Sequence, residues 1–171
     1  SNKNFSEGHI KRIKFVDQLK KLPIAKYIDI YGHGYNDIPD KWDAIAPYKY
    51  HIVLENSVQP DYWSEKLADS FLGFTLPIYY GCPNIHDYFN KDSLFLIDIE
   101  DVNATVKLLQ YLIDNDECFE KRKNILSYSR ESILNKYNIF NLMQNMAVNK
   151  ASKAQNIKLN TNAYYANSLI K

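Results

Sequence analysis

The chain has 171 residues, 46% of them hydrophobic and 24% charged, with 14 tyrosines, 8 phenylalanines and a formal net charge of +1. This is the composition of a globular protein and excludes a disordered one. So small a charge also argues against a general nucleic-acid binder, so any phosphate the chain holds must meet a local site.

Residues 9–22 place Ile10, Ile13, Phe15, Val16 and Leu19 near one helical face, and Pro23 closes the segment. YIDIY (27–31) then reads as a strand stopped by Gly32, His33 and Gly34, and a short helix through Trp42 and Ile45 leads to a second strand, YHIVL (50–54). Residues 62–74 carry Leu67, Phe71 and Leu72 at helical spacing, with Gly73 near the end. LPIYY (76–80) is a strand broken by Gly81, Cys82 and Pro83; LFLI (94–97) is the next, and Asp101 is placed to cap a helix over 102–113. Two further helical stretches follow, 116–137 and 140–150.

Strands alternating with helices predict an α/β fold, a Rossmann-like parallel sheet flanked by helices on both faces. One domain is expected over residues 1–150, followed by a polar tail over 151–171. No apolar run approaches the roughly 18 residues of a membrane span, and no signal-like stretch opens the sequence, so a soluble chain is expected. Cys82 and Cys118 lack metal-ligand spacing and read as packed or free thiols.

In such a sheet ligands sit beyond the carboxyl ends of the strands. ENSVQPDYWSEKL (55–67) is a loop of that kind, and it is crowded with polar groups. A helix N-terminus offers unpaired N–H groups and partial positive charge, so the turn before Tyr62 is a natural anion seat, to which Lys66 adds a full charge. Glu65 is an acceptor and would repel a phosphate, so its useful partners are hydroxyls such as those of a ribose. Each residue also has a plainer reading. Glu65 complements the helix dipole while Lys66 is solvated, Asn56 bonds its own turn rather than a phosphate oxygen, and Tyr62 packs rather than stacks on a ligand. Arg12, taken alone, reads as a surface charge.

DIED (98–101) looks like a divalent-metal pattern, but its place between a strand and a helix is explained by capping. His33, His51 and His86 are scattered, and no serine or cysteine lies in a nucleophile elbow. Neither a metal nor covalent catalysis is indicated.

Three patches resemble the C-terminal, donor-binding domain of glycosyltransferase family 10, the α1,3/α1,4-fucosyltransferases. YKYHIVLENS (48–57) is similar to the family's YKF-x-x-x-x-ENS, DYWSEKL (61–67) to DY-x-TEKL, and GFTLPIYYGCPNI (73–85) to G-x-x-PVYYG-x-PNI. Ser1 and Asn2, with Arg12 and Phe15, resemble its SN…R-x-x-F segment. Ser64 stands for the usual threonine, and Phe74 and Thr75 stand where small residues are common.

The resemblance implies the C-terminal half of a two-domain GT-B glycosyltransferase whose N-terminal acceptor domain lies outside this chain. It implies donor contacts from Arg12, Asn56, Tyr62, Glu65 and Lys66, with Arg12 and Lys66 on the diphosphate of GDP-fucose and Glu65 on the ribose. The reaction implied is an inverting, metal-independent transfer of L-fucose to a hydroxyl of a β-galactoside/N-acetylglucosamine glycan, with no cofactor beyond the donor and a general base in the other domain. Two alternatives stay open: a nucleotide-binding module that does not turn over alone, and a related enzyme using a different nucleotide sugar. The Lys, Asn, Ile and Tyr bias and the unpaired cysteines point to a bacterial, cytoplasmic protein, peripheral to the inner membrane, rather than a Golgi one.

Overall fold

Three parallel strands, β1 (Tyr50–Leu54), β2 (Leu76–Tyr80) and β3 (Phe95–Leu96), form a sheet in the order β1-β2-β3. The computed structural model describes residues 7–32 and 34–155, with 149–155 as backbone alone. Ser1, Asn2, His33 and the tail beyond residue 155 lie outside the described residues. The register pairs Tyr50 with Leu76 and Leu54 with Tyr80, and Ile78 with Phe95. Six helices are described: α1 (Glu7–Lys20), α2 (Glu65–Leu72), α3 (Val102–Asp114), α4 (Glu117–Glu120), α5 (Lys123–Asn135) and α6 (Ile139–Gln155).

Strand alternation divides the core. Ile78 joins Phe15 and Leu19 of α1, Ile24, Ile99, Leu109 and Leu112 of α3, and Cys118 in one buried cluster. Residues of the other parity, such as Val53 and Tyr79, point to the opposite face, where α2 packs on β1 and β2 with Leu67 and Phe71 buried. The result is the expected α/β arrangement, with helices on both faces of a parallel sheet. Gly73 ends α2 where any side chain would run into Ile45, and Ser70 and Thr75 satisfy each other's buried hydroxyls at 2.8 Å.

Four sequence expectations need correction. YIDIY (27–31) does not form a strand. Pro23 opens a 3-10 turn, Pro23–Tyr27, whose last bond runs from the Ile28 N–H to the Ala25 carbonyl, and Tyr31 makes only an isolated bridge to Asn36. Alternating apolar residues become a strand only beside a partner, and a cavity separates this segment from the free edge of β1.

The helix expected over 62–74 begins later, at Glu65, because Asp61 adopts a left-handed backbone (φ 61°) and Ser64 is the extended N-cap. The segment expected as one helix over 116–137 splits into α4 and α5. The Arg122 guanidinium occupies the Cys118 carbonyl at 3.1 Å, the acceptor an unbroken helix would give to the Arg122 N–H, which turns to Phe119 instead. The helix through Trp42 is a 3-10 turn, Lys41–Ala44, capped by Asp40.

Residues from Leu134 onward, including α6, form a separate unit. Asn138 starts that helix by accepting the Phe140 N–H at 2.8 Å.

Candidate functional site

The ladder between β1 and β2 sets the site. Leu76 N–H bonds the Lys49 carbonyl and Glu55 N–H bonds the Tyr80 carbonyl, so odd-numbered residues of β1 face β2. The backbone groups of Tyr50, Ile52 and Leu54 therefore point to the free edge. Arg12 of α1 reaches that edge, donating from Nη1 to the Leu54 carbonyl at 3.1 Å and from Nη2 to His9 Nδ1 at 2.8 Å. Its Nε is buried without a hydrogen-bond partner. Burial pushes the Arg12 pKa down, while the nearby Glu55 carboxylate and Tyr62 phenol act the other way. Arg12 is thus a half-buried cation with an unused donor, not the surface charge its isolated position in the sequence suggests.

One residue past β1, Glu55 is fully buried. A buried carboxylate is tolerable only when its oxygens are satisfied. Here one oxygen accepts the Ser64 N–H at 2.8 Å and the other the Ser64 hydroxyl at 2.7 Å. Ser64 in turn caps α2, accepting the Lys66 N–H at 3.3 Å. Gly81 leaves room for this arrangement, because a Cβ there would lie 2.5 Å from both Glu55 Cγ and the Tyr79 hydroxyl. Sequence reasoning missed Glu55; the available signal was a carboxylate sitting at the end of an apolar strand.

The first turn of α2 carries Glu65 and Lys66. Lys66 Nζ lies 3.1 Å from Ser64 Oγ, 3.3 Å from Glu65 and 3.6 Å from Glu55. Burial works to raise the Glu65 pKa, but the Lys66 hydrogen bond and charge, with backbone and Ser64 contacts, bring it down overall. Glu65 remains 64% exposed and so keeps acceptor capacity toward solvent.

Asn56 follows Glu55 with its Oδ1 buried and unpartnered, so the turn bond expected of it does not use that oxygen. The first turn of α1 presses on its carbonyl at Gly8, where no side chain fits. Tyr62 is 37% exposed, which sets aside the core reading of its ring.

A cavity of about 1060 Å³ opens along the free edge of β1. Arg12 and Lys66 both line it, with Lys20, Lys41, Tyr31 and Tyr35 among the other walls. Its size suits a nucleotide-scale ligand. Tyr48 braces part of the lining, donating to Asp29 at 2.7 Å and meeting the Tyr31 hydroxyl at 2.6 Å. Asn56, Tyr62 and Glu65 stand on the same βα loop but do not line this cavity. His51 does, and burial drives its pKa down to about 4, with Asp69 opposing and Lys41 reinforcing the shift.

The acidic run before α3 behaves as a cap. Asp101 accepts the Ala104 N–H at 2.9 Å, Asp98 accepts that of Glu100, and Glu100 pairs with Lys11 at 2.9 Å. Among the described residues no three His, Cys, Asp or Glu side chains are grouped to hold a metal ion. Cys82 and Cys118 are buried free thiols.

The family profile described as glycosyltransferase family 10 (fucosyltransferase) C-term matches residues 1–160. The chain is 32% identical over 126 residues to alpha-(1,3)-fucosyltransferase B of Drosophila melanogaster, an alignment covering 72% of this chain and 28% of that protein. It is 33% identical over 131 residues to 4-galactosyl-N-acetylglucosaminide 3-alpha-L-fucosyltransferase 9 of Homo sapiens, covering 73% and 34%. A crystal structure of an alpha1,3-fucosyltransferase with GDP-fucose superposes with a TM-score of 0.53 at 21% identity, over 71% of this chain and 36% of that one, a likeness of fold. This chain therefore spans about a third of the length of these relatives.

Proposed function

Because the chain belongs to glycosyltransferase family 10, we propose that it is the donor-binding part of a fucosyltransferase that uses GDP-fucose. The observation that carries this reading is the convergence of Arg12 and Lys66 on one nucleotide-sized cavity. Two cations lining one cavity suit a diphosphate, Arg through its planar fork and Lys as a point charge. The unused Arg12 Nε is a donor in want of an acceptor.

In the proposed reaction the acceptor hydroxyl attacks the anomeric carbon of fucose, the bond to GDP breaks with inversion, and negative charge grows on the diphosphate. Arg12, Lys66 and the N-terminus of α2 stabilise that charge where it develops, in the role a metal plays elsewhere. Glu65 takes the ribose hydroxyls, and Asn56 and Tyr62 complete the donor contacts from the same loop. The hydroxyl proton passes to a base in an acceptor-binding domain outside this chain, in the GT-B arrangement, and the acceptor is a β-galactoside/N-acetylglucosamine glycan.

A second reading, binding without turnover by this chain alone, is favoured by its coverage of only about a third of its relatives. Thermal shift and calorimetry with GDP, GDP-fucose, GDP-mannose and UDP test the donor. A ligand at a hundred times its Kd stabilises by about 2.7 kcal/mol. Stabilisation by GDP and GDP-fucose but not UDP is expected; a response to UDP alone would overturn the fucosyl donor. Equal competition by GDP-mannose would move the assignment to another GDP-sugar.

A further inference from the structure

The loop ahead of α2 is held at Ser64 by Glu55 and at Asp61 by a second knot of hydrogen bonds. We propose that Asn84 is a positioning residue for nucleotide binding: it locks Asp61 in a left-handed backbone conformation and so sets where Tyr62 is displayed at the entrance to α2. This rests on the reading that Tyr62 meets the donor.

Asp61 has φ 61°, a left-handed conformation that residues with a side chain adopt uncommonly and that local hydrogen bonds of an Asp can hold. Asn84, on the segment that follows β2, closes a two-bond ring with it. Asn84 Oδ1 accepts the Asp61 N–H at 2.8 Å, and Asn84 Nδ2 donates to Asp61 Oδ1 at 2.7 Å.

The rest of the knot dictates which way the Asn84 amide faces. Its second N–H goes to Asp87 at 2.9 Å, and its oxygen also receives the Cys82 thiol at 3.1 Å. Tyr88 adds its hydroxyl to the same Asp61 oxygen at 2.7 Å. The Asn84 and Tyr88 hydrogen bonds keep the Asp61 carboxyl ionised by lowering its pKa.

Trp63 is anchored to the same segment by edge contacts to Tyr88 and Phe89, with centroids 6.0 and 5.3 Å apart, and Phe89 packs on Phe71 of α2 at 4.7 Å. Residues 61 and 63 are therefore both tied to the post-β2 segment, while Tyr62 between them keeps an exposed ring. Both N–H groups of the Asn84 amide and its oxygen are taken up within the knot, so it acts through the loop rather than on the ligand. A polar knot among exposed groups adds little to global stability, because water competes for each partner, but it selects one loop conformation.

A double-mutant cycle with GDP as the probe separates this role from a purely structural one. Calorimetry on the wild-type chain, N84A, Y62A and N84A/Y62A is expected to show N84A weakening GDP about tenfold. In the Y62A background the same substitution should have no further effect. Additive losses, or an unchanged affinity in N84A, would overturn the inference while leaving the donor site intact. No GDP binding by the wild type would instead overturn the donor reading, and this inference with it. If N84A does not fold, the isosteric N84D, which sets a second carboxylate against Asp61, gives the same cycle.

Discussion

The buried carboxylate of Glu55 grips residue Ser64 twice, through its backbone N–H at 2.8 Å and its hydroxyl at 2.7 Å. The end of β1 and the start of α2 are thereby one hydrogen-bonded unit, although the ten residues 55–64 lie between the two elements. The hydroxyl that donates to Glu55 also accepts from the Lys66 N–H and Nζ. Ser64→Ala should therefore cost about 1–3 kcal/mol, from the lost cap and an orphaned carboxylate oxygen, whereas Ser64→Thr should stay near wild type. Urea unfolding of the two variants checks this; equal stabilities would mean the Glu55 contact is replaced by water.

Gly81→Ala tests the same unit from the other side. The added methyl would meet Glu55 and the Tyr79 hydroxyl at 2.5 Å, and both are buried. A loss of about 1–3 kcal/mol is expected from overpacking. A variant with the wild-type unfolding midpoint would show that Glu55 has room to move.

Stability should fall with acid in a window set by His51. Its folded pKa, about 4, lies below its ordinary value of 6.5, chiefly because of burial, and its Nδ1 has no partner. Between those two values the unfolded chain binds a proton that the folded chain refuses. The contribution is thus complete above pH 6.5 and is lost as pH falls toward 4, a change of up to roughly 3 kcal/mol. Unfolding free energies for wild type and His51→Leu over this range should diverge in slope, with the variant flatter. Parallel slopes would assign the acid sensitivity to other groups.

Lys66→Ala should weaken GDP binding by roughly 1.5–3 kcal/mol, as for a charge-assisted contact. Because Lys66 is already flanked by Glu55 and Glu65, its removal also leaves the first turn of α2 more negative. The affinity should therefore depend less on salt in the variant, which titration at two ionic strengths would reveal. An unchanged Kd would remove Lys66 from the site.

Arg12→Lys keeps the charge but not the fork that spans the Leu54 carbonyl and His9. It should lower stability by about 1 kcal/mol and weaken GDP as well. A variant with full affinity would mean that the charge alone matters at this position.

Local pattern made much of this protein legible. The apolar runs of β1 and β2, the Asp101 cap of α3 and the placing of Lys66 in the first turn of α2 all follow from near neighbours in the chain. The three motif patches pointed to the family that the comparisons bear out. Misread elements share another property. YIDIY has the alternation of a strand, but whether it pairs depends on the edge of β1, where Arg12 takes the Leu54 carbonyl. The start of α2 turned on a left-handed Asp61, whose conformation is secured by Asn84, 23 residues away.

The sequence by itself determined the α/β class, the family and the residue types crowded onto one βα loop, because periodicity and motif spacing are properties of neighbouring residues. Tertiary structure alone decided which of those residues share a cavity, that Glu55 is a buried clamp, and that Arg12 is half-buried at a sheet edge. The physical reason is desolvation. A carboxylate or guanidinium costs little in a solvated chain, and its role is set only when distant segments close over it and dictate which partner replaces the lost water.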